Sequence, residues 1–193
     1  MNEGVVIRNY IESDREPLQR ILKNEASYTT KRNGGGSEKK KECLCYMYCD
    51  YYFDFEPENV FVAVDNGEPC GFIVGSTDWN LFRSKMNEIY IPKIKKNCKL
   101  WGTFHKLCVA VNKKQDNAGG VAFHINIDHN HQGKKIGTKL MTCMSENAAK
   151  KGKKFLYLVT MNSKTAGYAF YKKLGFDVVK RYPGGSLMMK KNV

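Results

Sequence analysis

The stretch HINIDHNHQGKKIGTKLM, residues 124–141, contains the transition that decides the fold. Its beginning alternates polar and apolar residues as a half-buried strand does, whereas from Ile136 onward apolar residues recur at helical spacing. Gly133 and Gly137 lie between the two patterns. A helix begins with unpartnered N–H groups and a partly positive end, and glycine lets a ligand approach the backbone closely. The stretch therefore predicts a strand, an anion-binding turn and a helix.

The sequence around this stretch predicts a single mixed α/β domain over residues 1–193, in the order β-α-α-β-β-β-α-β-α-β-β. A capping box from Ser13 to Glu16 predicts the start of the first helix. The glycine- and lysine-rich residues 33–42 predict a flexible loop, and residues 106–111 read as a possible strand. The remaining strands are expected near residues 5–10, 59–64, 70–77, 120–127, 155–161 and in the last 18 residues of the chain.

Electric charge is distributed unevenly along the chain. Residues 1–92 contain 11 Lys/Arg and 15 Asp/Glu, a net of −4, whereas residues 93–193 contain 21 and 4, a net of +17. The C-terminal half is therefore expected to attract an anion, with nucleic acid, an acidic membrane surface and a polyphosphate cofactor as candidates. A solvated lysine-rich surface gives the same pattern, so charge alone does not choose among them.

The cysteine spacing and the lack of long apolar runs indicate where the protein is located and whether it binds a metal. The seven cysteines are irregularly spaced, and the cluster Cys43, Cys45 and Cys49 lacks the second pair that a zinc site needs. No apolar run is long enough to span a membrane, and the first residues do not resemble a signal peptide. We therefore expect a cytoplasmic protein with reduced thiols, no metal and no membrane partner.

Two segments carry a family resemblance. QGKKIG, residues 132–137, resembles the Arg/Gln-x-x-Gly-x-Gly/Ala motif with which N-acetyltransferases of the GNAT superfamily bind the pyrophosphate of acetyl-coenzyme A. AFYKKLGF, residues 169–176, is similar to the Phe-Tyr-x-x-x-Gly-Phe signature of the same family. One predicted helix and one predicted strand separate the two segments, as the family requires.

The resemblance implies a GNAT-like α/β fold with a mixed, mostly antiparallel central sheet flanked by helices. It implies transfer of an acetyl group from the cosubstrate acetyl-CoA to a primary amine, without a metal. Tyr171 occupies the position of the family's general acid. The implied acetyl-CoA-binding residues come from the strand, the turn and the loop before the second motif: Ile125, Asn126, Ile127, Gln132, Gly133, Lys134, Lys135, Ile136, Gly137, Thr138 and Asn162.

Two positions depart from the family pattern. Lys135 stands where the family generally has glycine, so either its φ angle is negative or its Cβ strains the turn. Asn162 resembles an asparagine that contacts the pantetheine arm, but it lies two residues farther from Tyr171 than is usual.

The sequence leaves the acceptor and the catalytic base open. The segments YYFDFEPENVFVAV and GFIVGSTD also resemble an acetyltransferase-like group related to O-GlcNAcase enzymes, which motivates a CoA-binding pseudo-acetyltransferase or interaction module as the alternative. A basic nucleic-acid-binding domain is disfavoured because no such motif occurs. A monomer and a homodimer are both compatible with the sequence, and the acidic N-terminal half favours a cationic acceptor. The candidate bases are Glu56, Glu58, Asp78, Glu88, His124 and Asp128.

Overall fold

Seven β-strands form one sheet in the computed structural model, which describes residues 4–30, 37–111 and 118–193. The strands are β1 Val6–Asn9, β2 Val60–Asp65, β3 Glu68–Ser76, β4 Gly120–Ile127, β5 Phe155–Thr160, β6 Asp177–Arg181 and β7 Leu187–Asn192. Their order across the sheet is β1-β2-β3-β4-β5-β7-β6. The β4–β5 pair is parallel and the other pairs are antiparallel. The mixed, mostly antiparallel sheet is therefore confirmed.

Helices cover both faces of this sheet. They are α1 Arg15–Thr30, α2 Glu38–Tyr48, α3 Asp50–Phe55, α4 Trp79–Lys85, α5 Ile91–Asn97, α6 Lys99–Val111, α7 Ile136–Lys150 and α8 Ala166–Lys173. Residues of α1 to α6 form one core with Val62 and Phe72 of the sheet. Residues of α7 and α8 form a second core with Ile73 and Phe123, because neighbouring strand residues point to opposite faces. No helix within the described ranges is long and apolar enough to cross a membrane.

The hairpin and the helix after the opening stretch form where the sequence predicts them. Asn66 and Gly67 have φ angles of 51° and 85° at the tip between β2 and β3, as a tight hairpin of this kind requires. The predicted apolar face of α7 is buried, and the helix ends before Gly152, whose φ is 69°. The buried residues of that face include Ile136, Leu140, Met144 and Ala148.

Residues 79–111 differ most from the sequence-based prediction. They form α4, α5 and α6 with a π-helical segment, Met86–Tyr90, between the first two. The prediction of a strand at residues 106–111 is wrong, because the spacing from Trp101 to Val109 is helical and turns these side chains inward. Pro92 follows the π segment and has no N–H to donate, which favours an irregular hydrogen-bond pattern there.

The beginnings of the first two helices also differ from the prediction. A 3-10 turn, Glu12–Asp14, precedes α1, and the Asp14 carboxylate accepts hydrogen bonds from the Ile11 N–H (3.0 Å) and from Arg8 (2.6 and 2.8 Å). The predicted capping box at Ser13 is therefore wrong. Helix α2 begins at Glu38, so residues 38–42 of the predicted flexible loop are helical, and residues 33–36 lie outside the described ranges.

Candidate functional site

A cleft opens in the sheet where β4 and β5 separate. The two strands pair over three residues each, and the last pair joins Ala122 to Tyr157. Beyond it β4 continues to Ile127 along β3, whereas β5 continues to Thr160 along β7. Among the described residues, the edge of residues 123–127 that faces β5 therefore has no strand partner. Backbone amides along such an edge must pair with water or a ligand.

The turn between β4 and α7 lies at the end of this edge. The φ angles of Gly133 and Lys135 are 81° and 61°, and φ of Lys134 between them is not positive. Alternation of this kind points successive backbone N–H groups toward one side and makes a concave anion site. The first amides of α7 follow directly, and the side chains of residues 132–135 are exposed. The turn therefore offers backbone donors and lysine charge to an anion.

Lys135 adopts the conformation that glycine tolerates best. Its φ of 61° and ψ of 11° lie in the left-handed region, so the alternative of a negative φ is wrong. The lysine Cβ strains this backbone by about 1 kcal/mol. This cost explains on physical grounds why glycine is preferred at the corresponding position of the family motif.

Gly137 has a packing role that the sequence did not predict. A Cβ built on Gly137 would lie 2.9 Å from Cζ of Phe170 and 3.2 Å from Cδ1 of Ile127. The residue is buried and its φ is not positive. Glycine is therefore needed here because α7 packs closely against the second motif. Its Cβ position therefore points at Phe170 and Ile127, while its backbone N–H lies at the start of α7.

Acidic groups hold the side chains around the turn. The Gln132 amide donates to Glu25 at 3.2 Å and to the Ile127 carbonyl at 3.5 Å. Lys134 Nζ lies 3.7 Å from an Asp65 carboxylate oxygen. Burial raises the pKa of the Glu25 carboxyl. An incoming anion must therefore compete with carboxylates for Gln132 and Lys134.

Tyr171 lies at the base of the cleft on the α8 side of the sheet. Its ring packs edge-on against Phe123 of β4 at a centroid distance of 5.9 Å and against Phe170 and Phe176 at 5.2 and 5.6 Å. Burial raises the pKa of its hydroxyl to about 12. No residue in the described ranges forms a hydrogen bond with this hydroxyl. A protonated donor is therefore available at neutral pH.

Asn162 lies in the exposed loop between β5 and α8. Its side-chain oxygen accepts a hydrogen bond from the Lys164 N–H at 2.8 Å, and its carbonyl accepts one from the Thr165 hydroxyl at 3.1 Å. Thr165 in turn caps α8 by accepting from the Tyr168 N–H. The longer spacing thus places Asn162 in a turn that supports the start of α8.

Most candidate bases have structural partners. Glu56 is 3% exposed and accepts from the Tyr51 hydroxyl, the Asn59 amide and the Thr77 N–H at 2.8 to 2.9 Å. The others cap a helix or pair with lysine: Asp78 accepts from the Leu81 N–H, Asp128 from the Asn130 N–H, Glu58 pairs with Lys151 and Glu88 with Lys85. These carboxylates are therefore poorly suited to accept a proton from a substrate.

His124 lies on the opposite face of β4 from Phe123. Its pKa is affected by His105 of α6, a residue that the sequence interpretation missed. The His124 ring packs against Tyr48 at a centroid distance of 4.4 Å. Burial lowers the pKa of His105 in α6 to about 4, and burial together with the charge of His105 lowers that of His124 to the same value. The buried Nε2 of His105 has no hydrogen-bond partner among the described residues. Helical spacing from Trp101 to Val109 was the signal that could have identified His105.

The cysteine cluster belongs to the core between α1 and α2. Cys43, Cys45 and Cys49 are buried. Burial raises the pKa of all three thiols, that of Cys45 to about 12. Protonated thiols of this kind act as apolar packing groups.

Solved structures share this fold over nearly the whole chain. The protein SsHAT has a TM-score of 0.78 and 19% identity, covering 97% of this chain and 98% of its own. The PaiA N-acetyltransferase of Thermoplasma acidophilum in complex with coenzyme A has a TM-score of 0.64 and 17% identity, with coverage of 98% and 99%. The polyamine N-acetyltransferase of Drosophila melanogaster has a TM-score of 0.64 and 16% identity, with coverage of 98% and 100%.

Sequence comparison gives the family. A search of curated proteins found no match. The family model described as "Acetyltransferase (GNAT) family" matches residues 25–176, which include the splayed strand, the turn and both motifs. The chain therefore belongs to the GNAT family of acetyltransferases, enzymes that take the acetyl group from acetyl-CoA.

Proposed function

We propose that the protein transfers an acetyl group from acetyl-CoA directly to a primary amine. The observation that carries this proposal is the separation of β4 from β5 beside the concave turn that begins α7. An unpaired strand edge suits an extended chain with amide groups, and the turn suits a pyrophosphate. Together these two features suit the extended arm and the pyrophosphate of acetyl-CoA.

The residues of β4 and the turn are proposed to position the cosubstrate. Ile125 to Ile127 offer backbone N–H and C=O groups to the pantetheine arm and to the thioester carbonyl. The backbone N–H groups of residues 133–138 receive the pyrophosphate, and Lys134 and Lys135 add positive charge. Gln132 contributes after its amide exchanges Glu25 for the ligand. Asn162 supports the loop before α8 in this account.

Tyr171 is proposed as the proton donor. In the reaction the C–S bond of the thioester breaks while a C–N bond forms, the amine loses a proton and the sulfur gains one. The Tyr171 ring packs against Phe123 of the splayed edge, and the raised pKa of its hydroxyl keeps it protonated. Acetyl-CoA supplies the activated acyl group and a thiolate that leaves readily near neutral pH.

The amine is proposed to enter on the other face of β4, where His124 and Asn126 lie two residues apart. The pKa near 4 makes His124 a weak base, and the carboxylates considered above are engaged elsewhere. We therefore assign the amine proton to a water chain that His124 orients. The same desolvation that lowers the pKa of His124 lowers the pKa of a bound ammonium group and eases its loss of a proton.

Release of free thiol from acetyl-CoA tests this proposal against a panel of amines. Agmatine and polyamines come first, because the acidic N-terminal half favours cations and two similar structures carry the names agmatine and polyamine N-acetyltransferase. Aminoglycosides, peptides and protein lysines complete the panel. Acetylation of one class above the rate of hydrolysis supports the proposal. Tight acetyl-CoA binding without any acetylated amine would instead favour the CoA-binding pseudo-acetyltransferase.

The proposal also treats residues 1–193 as one domain, since β1 and β7 belong to the same sheet. Limited proteolysis should then cut outside the strands without releasing a stable half. Light scattering would distinguish a monomer from a homodimer. The cytoplasmic location stays a prediction. The resemblance to the O-GlcNAcase-related group also stays a prediction.

A further inference from the structure

Helix α6 presents three large apolar side chains to solvent. Leu100, Phe104 and Leu107 are 82%, 68% and 61% exposed. Spacings of four and three residues place them on one side of the helix, named here the α6 ridge. The inward side of the same helix carries Trp101, which is half-buried, and Val109, which is buried. A continuous apolar ridge of this kind marks a surface that binds something.

Lysines flank the ridge on both sides. Lys99 and Lys106 are exposed and lie seven residues apart, so they share the neighbouring strip of α6. On the other side Lys40 of α2 places its Nζ 5.8 Å from the ring centroid of Trp101. Residues 91–111 contain five lysines and no aspartate or glutamate. The ridge therefore lies within a positively charged surface.

Two acidic side chains of α2, Glu38 and Glu42, offset this charge only in part. Glu38 pairs with Lys41 at 2.7 Å. Glu42 accepts hydrogen bonds from the Tyr46 hydroxyl at 2.6 Å and from the Asn97 amide at 2.8 Å. The salt bridge with Lys41 neutralises Glu38, whereas Glu42 keeps its charge and acts on Lys93. Lys99 and Lys106, which flank the ridge, form no salt bridge with a described residue.

We propose that the α6 ridge and its flanking lysines bind the surface of an anionic lipid bilayer. Leu100, Phe104 and Leu107 would enter the layer between headgroups and acyl chains, while Lys99 and Lys106 contact lipid phosphates. A basic helix with one apolar side lies in the plane of such an interface. This proposal departs from the expectation of no membrane partner, which rested on the lack of a spanning segment, because the helix would attach without spanning.

Charge and composition favour a lipid over two other occupants. A second copy of the chain would bring the five lysines of residues 91–111 against the same five lysines, and like charges repel. Protein interfaces are depleted in lysine and enriched in arginine, yet residues 91–111 contain no arginine. Each lysine near an anionic leaflet is attracted to it, and its long stem reaches the surface while the ridge inserts.

Vesicle flotation of the intact protein tests the proposal. The probes are vesicles of phosphatidylcholine alone and vesicles in which about one third of the lipid is phosphatidylglycerol. We expect binding to the second kind that weakens as salt is raised. Replacing Phe104 and Leu107 by serine should lower the apparent affinity by about tenfold or more. The pair Lys99→Glu and Lys106→Glu should lower it similarly.

Two control variants match the ridge variant and the lysine variant in chemistry but lie outside the proposed membrane-binding surface. Val179→Ser removes an apolar side chain that is 51% exposed on β6, and Lys150→Glu removes an exposed charge at the end of α7, so both should bind vesicles normally. Melting temperatures control for folding, and Leu100→Ser serves if the double variant unfolds. Absent binding to anionic vesicles overturns the proposal, as does full binding by the folded ridge variant. Self-association that the ridge variant abolishes would assign the surface to a second copy instead.

Discussion

The backbone of Lys135 predicts an effect of substitution that does not depend on its charge. Because φ is 61°, Lys135→Gly removes the strain of a Cβ in the left-handed region and should raise the free energy of unfolding by roughly 0.5–1 kcal/mol. Lys135→Ala removes the same charge but keeps the Cβ, so its stability should not rise. Urea unfolding of the two variants measures the difference. Equal stabilities would show that the turn relaxes at no cost.

Tyr171→Phe separates the hydroxyl from the packing of its ring. The ring contacts with Phe123 and Phe176 remain in the variant, so the melting temperature and the affinity for acetyl-CoA should change little. If the hydroxyl protonates the departing sulfur, turnover should fall by a factor on the order of 10² to 10⁴. The lower part of this range is expected because the thiolate is itself a tolerable leaving group. Thiol release measures turnover, and an unchanged rate would assign the proton to water.

At the scale of whole elements, Glu56 links α3, the 3-10 turn Pro57–Asn59 and the residue that follows β3. Its carboxylate accepts hydrogen bonds from Tyr51, Asn59 and Thr77. Glu56→Gln replaces an acceptor oxygen with a donor and leaves one of these buried partners unpaired, which should lower the free energy of unfolding by roughly 2–4 kcal/mol. Turnover by the folded variant should be retained. Lost turnover with intact stability would instead make Glu56 a catalytic base.

His105 of α6 and His124 of β4 make stability depend on pH. Their pKa values near 4 lie below the ordinary value of 6.5, so the unfolded chain binds more protons than the folded one between these values. The contribution of these two histidines to the free energy of unfolding is therefore fully present above about pH 6.5, and it is lost as the pH falls toward 4. Replacing both residues by glutamine should flatten the decline in melting temperature between about pH 6.5 and 4.5. An unchanged slope would mean that carboxyl groups alone cause it.

Local chemistry explains which elements could be predicted from the sequence. The β2–β3 hairpin and α7 were predicted because Asn66-Gly67 requires positive φ angles and Ile136 begins an apolar face of helical spacing. The segment from α4 to α6 was missed because Trp79, Tyr90 and Trp101 lie eleven residues apart, too far from one another to establish a helical period when a π segment and helix ends lie between them. The packing role of Gly137 was not predicted because its neighbour Phe170 comes from the second motif, a contact between distant parts of the chain.

Across the whole molecule, lysines of the basic C-terminal half are found at two surfaces with different proposed roles. Lys134 and Lys135 lie at the turn beside the cleft, where a polyphosphate is proposed to bind. Residues 91–111, which carry the α6 ridge on the other core, contain five more lysines, of which Lys99 and Lys106 flank the ridge. These two surfaces contain seven of the 21 Lys/Arg of residues 93–193, and neither requires nucleic acid, for which the chain carries no recognised motif.

Titration calorimetry with acetyl-CoA tests the central claim, that the turn at the start of α7 holds the pyrophosphate, most directly. Binding should be detected and should weaken as salt is raised, because lysine charge contributes. Lys134→Glu, which reverses an exposed charge at the turn, should lower the affinity by about tenfold or more, whereas Lys150→Glu at the other end of α7 should bind like the unmutated protein. Absent binding at both low and high salt, or equal loss in the two variants, would contradict the account.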